Sequence, residues 1–179
     1  MRLISVQLVL FLLIFTTSCS KDKTCEDPID CLPPITQTGA NTAGCLVNGK
    51  VLVPGRQGIN SGSVLKAQYN FSDDDGSVFG LLIINNRKSG RKMMYIEIRD
   101  QKLLEGGIYK LTSEGSNSFG SYNDLHMGGF VTSDENTGEL IISKIDPKKR
   151  IVSGIFWFDA IDDHGEVVEI RNGRFDVIF

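Results

Sequence analysis

Beyond Cys45 the chain carries no stretch with a helical apolar period. Short segments of strand-like alternation recur instead, divided by turn residues roughly every 8–14 positions. Alternation with period two puts one side of a segment on a core and leaves the other in water, which confines the chain to sheet architectures. Val64–Phe71 shows it most cleanly, with Leu65, Ala67, Tyr69 and Phe71 on one side and Lys66, Gln68 and Asn70 on the other. Ser72-Asp73-Asp74-Asp75-Gly76 reads as a turn, and Val78–Ile84 behind it is apolar on both sides, as a central strand would be. Residues 87–92 reverse the chain into Met93–Arg99, where Met94, Ile96 and Ile98 oppose Tyr95, Glu97 and Arg99. Shorter strands are predicted near Gly107–Thr112 and Met127–Thr132, and Gly138–Ile145 pairs with Arg150–Ala160. His164-Gly165 turns the chain into Glu166–Ile170, and Asn172-Gly173, a tight-turn signal, leads into a last strand Arg174–Phe179. The pattern predicts an all-β domain over residues 43–179, a single antiparallel β-sandwich or β-barrel of roughly 8–10 strands. It does not choose between the two.

The N-terminus follows other rules. Arg2 precedes the unbroken apolar run Leu8–Phe15, which is far short of the roughly 20 residues a membrane span needs. A short apolar run behind a positive start has the form of a secretory signal peptide, here residues 1–18. Thr16, Thr17 and Ser18 lead directly into Cys19, an arrangement that resembles a bacterial lipobox, in which the cysteine becomes the first mature residue and carries lipid. Lipidated Cys19 implies a membrane partner, with an outer-membrane location suggested by Ser20 in place of aspartate; periplasmic or surface facing is left open. Residues 19–42 lack periodicity and are rich in polar residues, with the pair Pro33-Pro34, so they read as a lipidated tether. Loss of residues 1–18 removes one basic residue, changing the formal net charge from −3 to −4. Without a basic excess, a nucleic-acid partner has no electrostatic footing.

Of four cysteines, three remain if Cys19 is acylated, and one bridge can form among them. Cys25–Cys31 would close a loop inside the tether, whereas Cys31–Cys45 would pin the tether to the first strand. No Cys-x-x-Cys spacing occurs and His126 and His164 are isolated, so neither a metal nor a cofactor is expected.

Thr36-Gln37-Thr38-Gly39-Ala40-Asn41-Thr42 leads into Gly44-Cys45-Leu46-Val47-Asn48-Gly49 and then Val51-Leu52-Val53-Pro54. Near the other end stand Ile151-Val152-Ser153-Gly154-Ile155-Phe156-Trp157-Phe158 and Asn172-Gly173-Arg174-Phe175-Asp176. Together these segments resemble an uncharacterised family of Bacteroidota lipoproteins classed as a domain of unknown function. The resemblance runs over roughly residues 33–179. It implies a secreted, β-rich lipoprotein and assigns no functional residue.

Candidate sites are few. Asp73-Asp74-Asp75-Gly76 lacks the remainder of a calcium loop, and Asp162-Asp163-His164-Gly165-Glu166 has the composition of a polar hairpin tip. No nucleophile elbow, phosphate loop or zinc-protease helix motif occurs, so no catalytic residue is expected. On the strand Val152–Ala160, Trp157 faces opposite to Phe156 and Phe158. It either fills a second core layer or lines a ligand surface with Tyr95, Phe119 or Tyr122; aromatic platforms suit sugars and apolar ligands. Gly115–Asn123 reads as a polar-aromatic loop of adaptable binding composition. The expected role is that of a lipid-anchored cell-envelope protein, non-catalytic, with a binding or structural function. Its partner would be a saccharide, a small apolar ligand or another envelope protein. The alternatives are a small-ligand carrier with a barrel cavity and an enzyme of unrecognised class.

Overall fold

The computed structural model describes residues 25–55, 63–70, 77–87, 90–113 and 115–179. The signal segment, Cys19 and the acidic turn Asp73–Gly76 lie outside the described residues. Eleven strands are present among the described residues: β1 (Thr42–Val47), β2 (Lys50–Leu52), β3 (Leu65–Asn70), β4 (Val78–Arg87), β5 (Gly90–Arg99), β6 (Ile108–Leu111), β7 (Ser118–Asp124), β8 (Gly128–Val131), β9 (Gly138–Asp146), β10 (Ile151–Ile161) and β11 (Val167–Ile178). No α-helix occurs among those residues; a 3₁₀ turn, Pro28–Cys31, stands before the first strand.

All pairings are antiparallel, and the strands run in the order β2-β1-β11-β10-β8-β7-β5-β4-β3, with β9 also on β10 and β6 on β9. The sheet branches at β10. Residues Ile151 to Phe158 pair with β9, while Ile161 at the far end reaches Val131 of β8. The result is sandwich-like and not closed into a barrel. Of the two architectures the alternation allowed, this is the one that forms.

Alternation decides what goes inside. Phe79, Leu81 and Ile83 of β4 and Met94, Ile96 and Ile98 of β5 are completely buried. They meet the inward side chains of β10 and β11, and the Phe79 and Phe175 rings lie 6.0 Å apart although their strands are not neighbours. Phe156 stands between Phe158 and Phe175, with ring centroids 6.5 and 6.3 Å away. The inward positions are thus filled by side chains, as close-packed interiors require.

Three local expectations are corrected. Gly115–Asn123 is not a loop throughout, because Ser118–Asp124 forms β7 between β5 and β8. Its small residues are there for packing: a Cβ on Gly120 would lie 3.0 Å from the Phe158 ring. Asn172-Gly173 is not a tight turn either, since β11 runs through it without interruption. Phe156 pairs with Gly173 and Phe158 with Ile170, so two residues of β11 oppose the single Trp157 of β10. That is a β-bulge, with Asn172 at φ 53° and Gly173 so close to Phe156 that a Cβ would lie 2.4 Å from its ring. The third concerns the tether, whose second half is docked. Leu32 is buried, and the disulfide joins Cys25 to Cys31, which leaves Cys45 as a buried free thiol.

What docks that segment is one carboxylate. Asp176 of β11 is 1% exposed and accepts bonds from the Thr36 hydroxyl (2.6 Å), the amides of Thr38 (2.9 Å), Gly39 (2.8 Å) and Ala40 (3.1 Å), and the Ser153 hydroxyl (2.7 Å). Burial alone would raise its pKa. The hydroxyls of Thr36 and Ser153 and the amides of Ala40 and Thr38 outweigh that and hold the carboxyl well below the usual carboxylate range. Asp176→Asn keeps the shape but turns an N–H donor toward other donors. We expect it to cost about 3 kcal/mol, the worth of one or two bonds to a charged group, read as a fall in the midpoint of thermal unfolding. Because the folded carboxyl titrates lower than an unfolded one, its contribution is complete above about pH 4 and is lost as pH falls toward the folded value. The gap between the variant and the wild type should therefore narrow in acid, and a gap that widened there would contradict the assignment.

Candidate functional site

The four aromatic residues singled out in the sequence do not form one site. Tyr122 points inward from β7 and is 2% exposed, its hydroxyl donating to Asp124 (3.2 Å). Burial, together with the Asp124 charge, raises the pKa of that phenol far above its ordinary value. Asp124 in turn accepts the His126 amide (2.9 Å) and pairs with Lys92 (3.3 Å). Burial would raise the Asp124 carboxyl, but the amide and the ammonium prevail and lower it. This group is internally satisfied and supports the β7–β8 turn.

Tyr95 and Phe119 do come together, edge to face at 6.0 Å, on the opposite side of β5 and β7. Their register explains it, since Glu97 pairs with Phe119 and Tyr95 with Ser121. The Tyr95 hydroxyl donates to Glu97, Arg99 pairs with the same carboxylate, and the Arg99 guanidinium lies 5.8 Å from the Phe119 ring. Burial first, then the Glu97 hydrogen bond and charge, push the Tyr95 phenol well above its ordinary range. Phe119 is 6% exposed beneath this cluster, so it offers little surface to a ligand.

Trp157 stands apart from both groups and is exposed. The burial alternation of β10 sends Phe156 and Phe158 inward and leaves Ile155 and Trp157 outside, so the indole is not in a second core layer. Across β6, β9 and β10 the pairing aligns Ile108, Ile141 and Ile155 in one row, and Lys110, Glu139 and Trp157 in the next. Trp157 thereby borders a surface groove of about 230 Å³, with Ile35, Ile141 and Ile155 as its aliphatic part and Glu139, Asn172 and Arg174 as its polar part. The bulge is what presents Asn172 and Arg174 here, because it offsets β11 beside Trp157.

One partner holds the indole in place. The Arg171 guanidinium lies 5.6 Å from the ring centroid and is itself fixed by Asp159 (2.6 Å), Glu169 (3.5 Å) and the carbonyls of Phe158 (3.1 Å) and Ile170 (3.0 Å). The sequence reading picked out Trp157 and missed Arg171, Glu139, Asn172 and Arg174. Glu139 and Arg171 are charged residues at outward strand positions, which local pattern does not distinguish from ordinary surface, and Asn172 sits in a turn signal. Only the strand pairing shows that they converge.

Other concavities lie elsewhere among the described residues, including one of about 160 Å³ where Tyr122 meets Val47, Leu52, Met127 and Val168. A groove of about 530 Å³ lies between the disulfide loop and β1–β2, lined by Leu32, Pro33, Val51 and Val53 among others. A cleft of about 400 Å³ at the end of β11 is bordered by Tyr69, Leu103, Leu104, Ile145, Pro147 and Phe179. Among the described residues no three His, Cys, Asp or Glu side chains gather as a metal-holding group. Asp162, in the hairpin tip, accepts the amides of His164 (2.9 Å) and Glu166 (2.8 Å), which is turn chemistry.

A family model described as a domain of unknown function (DUF6252) matches residues 57–178. The chain belongs to this family. The matched range holds β3 through β11 and therefore the whole of the Trp157 groove except Ile35. It does not include β1, β2 or the segment gripped by Asp176, which contain the Thr36–Pro54 part of the sequence resemblance. No curated protein and no solved structure matches the chain.

Two measurements check this geometry. The chain has one tryptophan, so its emission reports Trp157 alone. Arg171→Ala should raise acrylamide quenching of that emission while costing about 1 kcal/mol of stability or less, as exposed ion pairs and cation–π contacts do. Unchanged quenching would mean that the guanidinium does not cover the ring. Separately, burial pushes the Cys45 thiol up to about 12. It should resist a thiol reagent at pH 8 in the folded protein and react promptly once the chain is unfolded.

Proposed function

We propose that this is a lipid-anchored cell-envelope protein of the Bacteroidota lipoprotein type, with a non-catalytic role in binding. The anchor rests on the sequence, where the apolar run Leu8–Phe15 and the small residues Thr16, Thr17 and Ser18 precede Cys19. The single structural observation that supports a binding role is the Trp157 groove. An exposed indole held by Arg171 costs the protein buried apolar surface, and such platforms belong to recognition surfaces more than to cores. A carrier with an internal ligand would need a lumen, and the inward positions of this open sheet are occupied by Phe79, Met94, Phe156, Phe158 and their neighbours. The binding surface is accordingly external.

The docked segment also limits the reach of the anchor. Between Cys19 and buried Leu32 the chain has about 13 residues, of which the Cys25–Cys31 bridge shortcuts six, bringing their Cα atoms to 5.7 Å. At full extension the remainder spans roughly 30 Å. The domain would thus sit close to its membrane, on the outer-membrane side by the reading of Ser20. Several acyl chains on one cysteine make such attachment stable, at about 0.8 kcal/mol per buried methylene.

Metabolic labelling with a fatty acid in a bacterial host tests the anchor. The wild-type chain should incorporate label and fractionate with membranes, and Cys19→Ala should do neither. Equal labelling of both would refute the anchor.

A further inference from the structure

We propose that the groove beside Trp157 binds a single neutral pyranose ring of a saccharide. The inference rests on the binding role given above and names the ligand class for that surface. Three observations carry it. First, the volume is about 230 Å³, below the roughly 300–1,000 Å³ of pockets that hold drug-sized ligands. It suits one ring with its neighbours projecting into solvent, as when an oligosaccharide is gripped at one residue.

Second, the two kinds of lining match the two kinds of surface on a pyranose. The axial C–H hydrogens of such a ring form a weakly positive, apolar face that complements the negative face of an indole. Trp157, 37% exposed, supplies that face, and Ile141 and Ile155 extend the apolar floor along their strands. Arg171 occupies a position over the ring and is bound by Asp159 and Glu169, so the indole is oriented before any ligand arrives. Such preorganisation lowers the ordering cost of binding.

Third, the polar groups around the platform are unspent. The carboxylate of Glu139 has no hydrogen bond or ion pair among the described residues, although Lys110 stands opposite it in the β6–β9 register. The Asn172 side-chain amide has no hydrogen bond among the described residues either, while its backbone carbonyl accepts from Arg174 (3.3 Å). Arg174 makes one further contact among the described residues, to the Pro33 carbonyl at 3.5 Å, and retains other N–H donors. An acceptor, an amide that both donates and accepts, and a donor are what vicinal hydroxyls require. A purely apolar ligand would leave all three unpaired.

The test uses the full chain, extracted in a detergent without a sugar headgroup and titrated with methyl β-D-glucopyranoside, methyl α-D-mannopyranoside and methyl β-D-galactopyranoside. Because Trp157 is the sole tryptophan, its emission reads the groove directly. At least one glycoside should give a saturable blue shift, weakened tenfold or more in Glu139→Gln and in Asn172→Ala and unaffected by Arg150→Ala, which lies elsewhere beside Phe179. Cyclohexanol, with the ring but a single hydroxyl, should give no saturable shift. If none of the three glycosides shifts the emission, the proposal is overturned. It is equally overturned if cyclohexanol binds as well as they do and Glu139→Gln changes nothing, since the groove would then be an apolar docking surface for another protein. Either result with fatty-acid labelling of Cys19 intact would remove the saccharide inference and leave the anchor standing.

Discussion

The carboxylate of Asp176 is the contact on which the architecture of this chain depends. It lies in the last strand, faces Ser153 on the neighbouring strand, and gathers three consecutive amides and two hydroxyls from a segment about 140 residues earlier. Buried charge is tolerated only when its lone pairs are taken, and here six groups take them. The Thr38–Ala40 backbone is wrapped around an anion in the way that successive amides bind phosphate elsewhere. From that grip the chain enters β1, which lies along β11 and carries β2 at the edge. The sheet is thereby extended past the range matched by the family.

A second constraint acts on the same pair of strands. With β10 and β11 fixed as the centre, Phe156, Phe158 and Phe175 fill the interior and require glycine at the contacts opposite them, Gly173 and Gly120. Beside this packing β11 carries an extra residue, the bulge at Asn172. The bulge aims Arg174 and Asn172 at the outer face beside Trp157. Core packing on one side of β10 and the Trp157 groove on the other meet at the same register shift.

The strands were legible in the sequence where one face is buried and the other wet, as in Leu65, Ala67 and Tyr69 against Lys66, Gln68 and Asn70. They were not legible where the core demands small residues. Ser118, Gly120 and Ser121 have the composition of a loop, yet they form β7 because the Phe158 ring leaves no room for a side chain at Gly120. Asn172-Gly173 carries the chemistry of a hairpin turn, but a positive φ serves a bulge as well as a turn, and only pairing distinguishes them. Alternation alone set Trp157 on the face opposite Phe156 and Phe158, but it did not tell a second core layer from open surface, which depends on what covers that face. Its partners were not legible, because Arg171, Glu139 and Arg174 are brought to it by cross-strand register, which local pattern does not encode. The Thr-Gln-Thr-Gly-Ala segment reads as a tether for a related reason: its binding partner, Asp176, is at the far end of the chain.

Order in the folded domain begins ahead of the first strand, at the docked segment. Hydrogen exchange of the full chain at neutral pH measures this directly, residue by residue. The amides of Thr38, Gly39 and Ala40 should be protected to a degree comparable with the β10–β11 ladder, because opening them strips the bonds from a buried anion. Exchange of those three amides at the rate of an unstructured chain, with the ladder still protected, would contradict it.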